Sequence, residues 1–69
     1  MSIAEALSRS ASASGMTDTQ IGAAVGVSAA TVGHWRKARK RPRGSHLIKL
    51  IEVVPGFGRL IGLEQTTAA

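Results

Sequence analysis

Six of the nine basic residues of this 69-residue chain fall in one stretch, "HWRKARKRPRG", from His34 to Gly44. Guanidinium and ammonium groups at that density do one kind of chemistry. They bind polyanions, through charge-assisted hydrogen bonds to phosphate oxygens and through release of the counterions condensed there. The formal net charge of +5 and the isoelectric point near 11.4 point the same way. The asymmetry says more than the total: residues 1–33 hold a single basic residue, Arg9, against Glu5 and Asp18. A nucleic acid or an anionic membrane face is the partner that such a distribution suits.

Other chemistries find little material. No carboxylate pair stands at catalytic spacing and no nucleophile has a base beside it, so an enzyme is not expected. The chain has no cysteine and only two histidines, His34 and His46, so no metal site is expected. "GAAVGVS" lacks the Gly-Lys-Ser of a phosphate loop, and no cofactor or small-molecule ligand is expected. The longest apolar runs fall far short of the roughly 20 residues that span a bilayer, so a membrane is not the expected partner. "MSIAEALSRSASASG" lacks a basic start followed by an apolar block, and its single Arg gives only a faint transit-peptide look. A cytoplasmic, nucleoid-associated protein is the expectation.

The basic window needs elements to hold it. A chain this short buries only about 60% of its unfolded surface, so the core must be thin. With one Trp, one Phe and no Tyr, the apolar content is mostly Ala, Ile, Leu and Val. Residues 2–14 read as a helix with Ile3, Leu7 and Ala11 on one face and Gly15 as its stop. "TDTQ" is a capping box, Thr17 at the N-cap and Gln20 three residues on. The helix it opens presents Ile21, Ala24 and Val25 inward and ends at Gly26. Val27 plugs the core and Ser28 caps a second helix, Ala29 to about Ala38, which buries Val32 and Trp35. That helix exposes Ala29, Ala30, Gly33, His34 and Lys37.

After the basic loop with Pro42 and Gly44, Ser45 reads as the cap of a helix "HLIKLIEVV". Its buried stripe is Leu47, Leu50, Ile51 and Val54, and Pro55 and Gly56 end it. "FGRLIG" makes one more short turn of helix, and residues 64–69 read as a frayed tail. No segment has a period of two. The expected fold is therefore all-α: a compact domain of four to five helices over residues 1–63.

Two short helices joined by a tight turn containing Gly form a helix-turn-helix unit, here residues 17–38. Ile21 meets the core and small Gly22 sits where the helices cross. Gly26 makes the turn, and Val25, Val27, Val32 and Trp35 supply the flanking apolar contacts.

With "GMTDTQIGAAVGVSAATVGHWRKARKRPRG" and the apolar helix after it, residues 15–54 resemble the helix-turn-helix domains of the lambdoid phage repressor and Cro proteins. The resemblance implies a domain that binds double-stranded operator DNA as a symmetric homodimer, with its second motif helix in the major groove. It places Ser28, Ala29, Ala30, Thr31, His34 and Lys37 at the base edges. Ser28, Thr31, His34 and Lys37 offer hydrogen bonds, whereas Ala29 and Ala30 suit thymine methyl groups.

Thr17, Thr19, Arg36, Arg39, Lys40, Arg41 and Arg43 fall along the sugar-phosphate backbone, with Arg43 toward a narrow minor groove between half-sites. Asp18 stands where members of the family often carry a Gln that approaches phosphate. Phe57, Leu60, Ile61 and Leu63 close the monomer's core or form the dimer seam. These 69 residues carry no self-cleavage serine or ligand pocket of a second domain, so a small stand-alone repressor of a phage or mobile element is expected. The alternatives are an architectural or recombination-directionality factor, and an antitoxin-like module whose residues 55–69 bind another protein.

Overall fold

Five helices follow one another in the computed structural model: α1 (Ile3–Ser14), α2 (Asp18–Val25), α3 (Ala29–Arg36), α4 (Gly44–Val53) and α5 (Phe57–Ala68). The structure describes residues 2–68 of the backbone and side chains through Gly62. Among the described residues there is no strand, so the fold is all-α as expected.

Local chemistry sets most of the helix ends. Ser2 caps α1 by accepting from the Glu5 N–H at 3.1 Å. Gly15 ends it in the left-handed conformation, at φ 72°. The Thr17–Gln20 capping box opens α2 with both of its reciprocal bonds, 3.2 and 3.0 Å. Each satisfies an N–H that has no partner within the first turn.

Three ends differ from the expectation; α3 stops at Arg36, short of Ala38. α4 begins at Gly44 with Arg43, not Ser45, as its N-cap residue. The Leu47 N–H bonds the Arg43 carbonyl at 2.7 Å, which closes the first turn two residues early and leaves Ser45 exposed inside it. α5 continues to Ala68 instead of ending after one short turn. The expected fraying of residues 64–69 and the expected seam residue Leu63 lie outside the described side chains.

The core takes residues from every helix: Ala6, Leu7 and Ala11, then Ile21 and Val25, Val32 and Trp35, Leu50, and Phe57, with Val54 just past the end of α4. Helices of eight residues such as α2 and α3 are too short to persist alone, so this shared burial holds them. α1 packs on α3 and α5, α2 on α3 and α4, and α4 on α5. Ser10 is buried with them, its hydroxyl satisfied by the Ala6 carbonyl at 2.7 Å.

Three assignments of faces change. Ala24 is exposed, because the inward arc of α2 runs through Ile21, Val25 and Gly22 and leaves Ala24 on the far flank. Ile51 is 43% exposed rather than buried: the α4 stripe runs Leu47–Leu50–Val54, which turns Ile51 outward. Phe57 belongs to the monomer's core, not to a seam between copies. It is fully buried, while Leu60 and Ile61 are half-buried against the same core.

Candidate nucleic-acid interface

The surface that the basic window belongs to is built outward from the α2–α3 junction. Gly22 lies against the turn: a Cβ there would stand 2.6 Å from the Val27 carbonyl oxygen. The Gly22 carbonyl accepts from both Gly26 and Val27 N–H groups, at 2.7 and 2.9 Å. Gly26 turns the chain at φ 95°, a conformation a side chain would resist. Ser28 then caps α3 by accepting from the Thr31 N–H at 3.2 Å, and the two hydroxyls bond each other at 2.9 Å. That pairing uses one hydroxyl proton and leaves the other for an acceptor outside.

Val32 and Trp35 anchor the inner side of α3 in the core. Ala30, His34 and Lys37, spaced by four and three, therefore share the opposite face. Ala30 and Lys37 are exposed; Ala29, Thr31 and His34 are partly so. Lys37 is the residue after the last helical one, because α3 ends at Arg36 and not near Ala38.

The exit from α3 is folded, not extended. Ala38 takes a left-handed φ of 60°, and the His34 carbonyl accepts from Arg39 N–H at 2.9 Å and from Lys40 N–H at 3.4 Å. These bonds fold the start of the basic segment back against the helix end. At its other end Trp35 meets His46 of α4, ring centroids 5.5 Å apart and tilted by 42°. The loop is thus held at both ends.

Lys37, Arg39, Lys40, Arg41 and Arg43 are all exposed, and none forms an ion pair among the described residues. Arg36 is occupied differently from its expected place on the sugar-phosphate backbone. Its Nη1 donates to Asp18 Oδ1 at 2.7 Å, and its Nε reaches the Ser8 hydroxyl at 3.5 Å. This clamp joins the last turn of α3 to the first turn of α2 and to α1.

It also gives Asp18 a role that sequence reasoning missed, as the partner that takes up the charge of Arg36. The opposite charges at the two ends of the motif were the available signal, but only packing brings them together. Thr17 and Thr19 are exposed at the α2 N-terminus, the Thr17 hydroxyl keeping its proton for an outside acceptor. The first turn of α4 has no side-chain cap, so its N–H groups stand beside Arg43.

Among the described residues there is no group of three or more potential metal ligands, and no helix long and apolar enough to cross a membrane. Comparison with protein-family models, with curated proteins and with solved structures returns no match. What the fold and the site define is a class: a small all-α domain with an anchored third helix, open on one face and continued by a held cationic loop.

Proposed function

We propose that this chain is a sequence-specific DNA-binding regulator of transcription, a repressor that acts as a homodimer on an inverted repeat. The observation that carries the reading is five exposed cations, unpaired among the described residues, leaving a helix whose inner face is locked in the core and whose outer face is open. In this reading α2 and α3 act as a helix-turn-helix, and α3 enters the major groove of duplex DNA. Ala29 and Ala30 meet thymine methyl groups, the Ser28–Thr31 pair lends its remaining hydroxyl proton, and His34 and Lys37 reach bases or phosphates one turn further on. Arg39, Lys40 and Arg41 lie along phosphates, as do Thr17 and Thr19 at the start of α2, while Arg43 points to the minor groove between half-sites.

This places the protein on the nucleoid, where it represses by occluding a promoter. The reading set has no Asn or Gln on its face, so shape and apolar contact contribute much of the specificity. The test is a titration of labelled duplexes, random and selected for inverted repeats, at several salt concentrations. Five cations that displace counterions from the duplex, whether along phosphates or in a groove, give a slope of about −4 to −5 in log affinity against log salt per monomer. Equal affinity for every duplex would replace specific regulation by the architectural reading, and no duplex affinity at low salt would remove both.

A further inference from the structure

We infer that Asp18 is a built-in competitor for phosphate: it withholds Arg36, the first cation of the basic stretch, from the DNA backbone and so limits how tightly any duplex is gripped. The geometry is that of an anion already bound. Arg36 Nη1 donates to Asp18 Oδ1 at 2.7 Å, the length of the charge-assisted bonds that a guanidinium makes to carboxylate and phosphate alike. The guanidinium is held but not enclosed. Its Nε reaches the Ser8 hydroxyl at 3.5 Å, its Nη2 makes no bond among the described residues, and the side chain is 35% exposed. Arg36 is thus a cation at the surface whose partner comes from its own chain.

The carboxylate also stands where DNA is proposed to approach. Its second oxygen, Oδ2, lies 3.6 Å from where a Cβ on Gly33 would be, so it rests against the flank of α3. Gly33 is three residues after Ala30 and four before Lys37, which makes it their neighbour around the helix. Thr17 and Thr19, on either side of Asp18, are the exposed hydroxyls assigned to phosphates. A phosphate drawn to Arg36 would therefore stand beside Oδ2, like charge against like. Opening the ion pair does not relieve that repulsion; only loss of the carboxylate does. The other ion pair among the described residues, Arg9 with Glu5, lies within α1 and far along the chain from this face.

The inference rests on the reading of a DNA binder, and one salt titration separates the two. On random duplex, Asp18→Asn binds roughly three- to tenfold more tightly at low salt, and its slope steepens by about 0.9, the mark of one more phosphate contact. Asp18→Ala behaves in the same way, so the gain does not come from the Asn amide. Random and inverted-repeat duplexes gain alike, because phosphate carries no sequence. Arg36→Gln leaves the slope at the wild-type value, and Asp18→Asn combined with Arg36→Gln loses the extra contact. Glu52→Gln removes an equal charge from an exposed acid that pairs with no cation among the described residues, and its slope does not change. Thermal melts by circular dichroism establish that each variant is folded. Asp18 variants no steeper than the wild type, an equal steepening in Glu52→Gln, or an Arg36→Gln slope shallower by about 0.9 would each overturn the inference and leave the DNA-binding reading intact. A wild-type chain that binds no duplex at low salt would end both.

Discussion

Replacing Gly22 by Ala adds one methyl group where α2 meets the turn. The new Cβ would stand 2.6 Å from the Val27 carbonyl oxygen, 3.2 Å from the Ser28 carbonyl carbon and 3.3 Å from the Ala29 nitrogen. All three are backbone atoms, so no rotamer change relieves the contact. Reaching ordinary separation at 3.4 Å requires the turn to move by about 0.8 Å (3.4 less 2.6). That movement pulls on the Gly26 and Val27 N–H bonds to the Gly22 carbonyl. Overpacking of this kind costs about 2–3 kcal/mol. Ala in place of Gly inside a helix returns about 1 kcal/mol.

Gly22→Ala therefore destabilises the fold by about 1–2 kcal/mol. Gly33 provides the internal comparison. It also lies inside a helix, but a Cβ there meets only Asp18 Oδ2, at an ordinary 3.6 Å. The same chemical change at Gly33 stabilises by about 0.5–1 kcal/mol. For a domain of this size each kcal/mol moves the melting temperature by about 4–8 °C. The two variants should thus fall on opposite sides of the wild type. Thermal melts followed by far-ultraviolet circular dichroism and by Trp35 fluorescence measure both. A Gly22→Ala protein that melts at or above the wild-type temperature would refute the claim that α2 and the turn touch at this point.

Ala38→Gly should raise stability by about 1 kcal/mol, because it removes a side chain from the left-handed conformation; a lower melting temperature would contradict that geometry. The Arg36–Asp18 pair is about a third exposed on both sides, so a double-mutant cycle with Arg36→Ala and Asp18→Asn should give a coupling of about 0.2–1 kcal/mol. Zero coupling at low salt would mean that the clamp does not hold α3 to α2. Arg43→Ala should leave the melting temperature unchanged, since that side chain makes no capping bond. It should nevertheless weaken duplex binding generally and make the salt slope shallower by about 0.9. An unaltered affinity would remove Arg43 from the interface.

Much of the local architecture was legible in the sequence because it depends on neighbours a few residues apart. Thr17 and Gln20 make the capping box, Gly15 and Gly26 end their helices, Ser28 opens α3, and Val32 with Trp35 face inward. Each of these follows from helical period or from a bond spanning three or four residues, and none needs the rest of the chain. The fold class followed from the same local rules. The density of charge between Arg36 and Arg43 was equally plain, and with it the polyanion as the proposed partner.

Tertiary structure decided what depends on residues far apart in the chain. Arg36 counted as one more cation until packing set it against Asp18, eighteen residues earlier, and Ser8. Ile51 fitted a buried stripe by spacing alone, but burial also needs a neighbour on that side, and there α5 presents Gly58, which has no side chain to cover it. Phe57 was undecided between core and seam until α5 packed on α1 and α4 with Phe57 fully buried. The helical period names the residues that share a face. Which faces meet, and which cations remain unpaired on the surface, depends on how five short helices fill a common volume, because no single helix contains the partner its own side chains need.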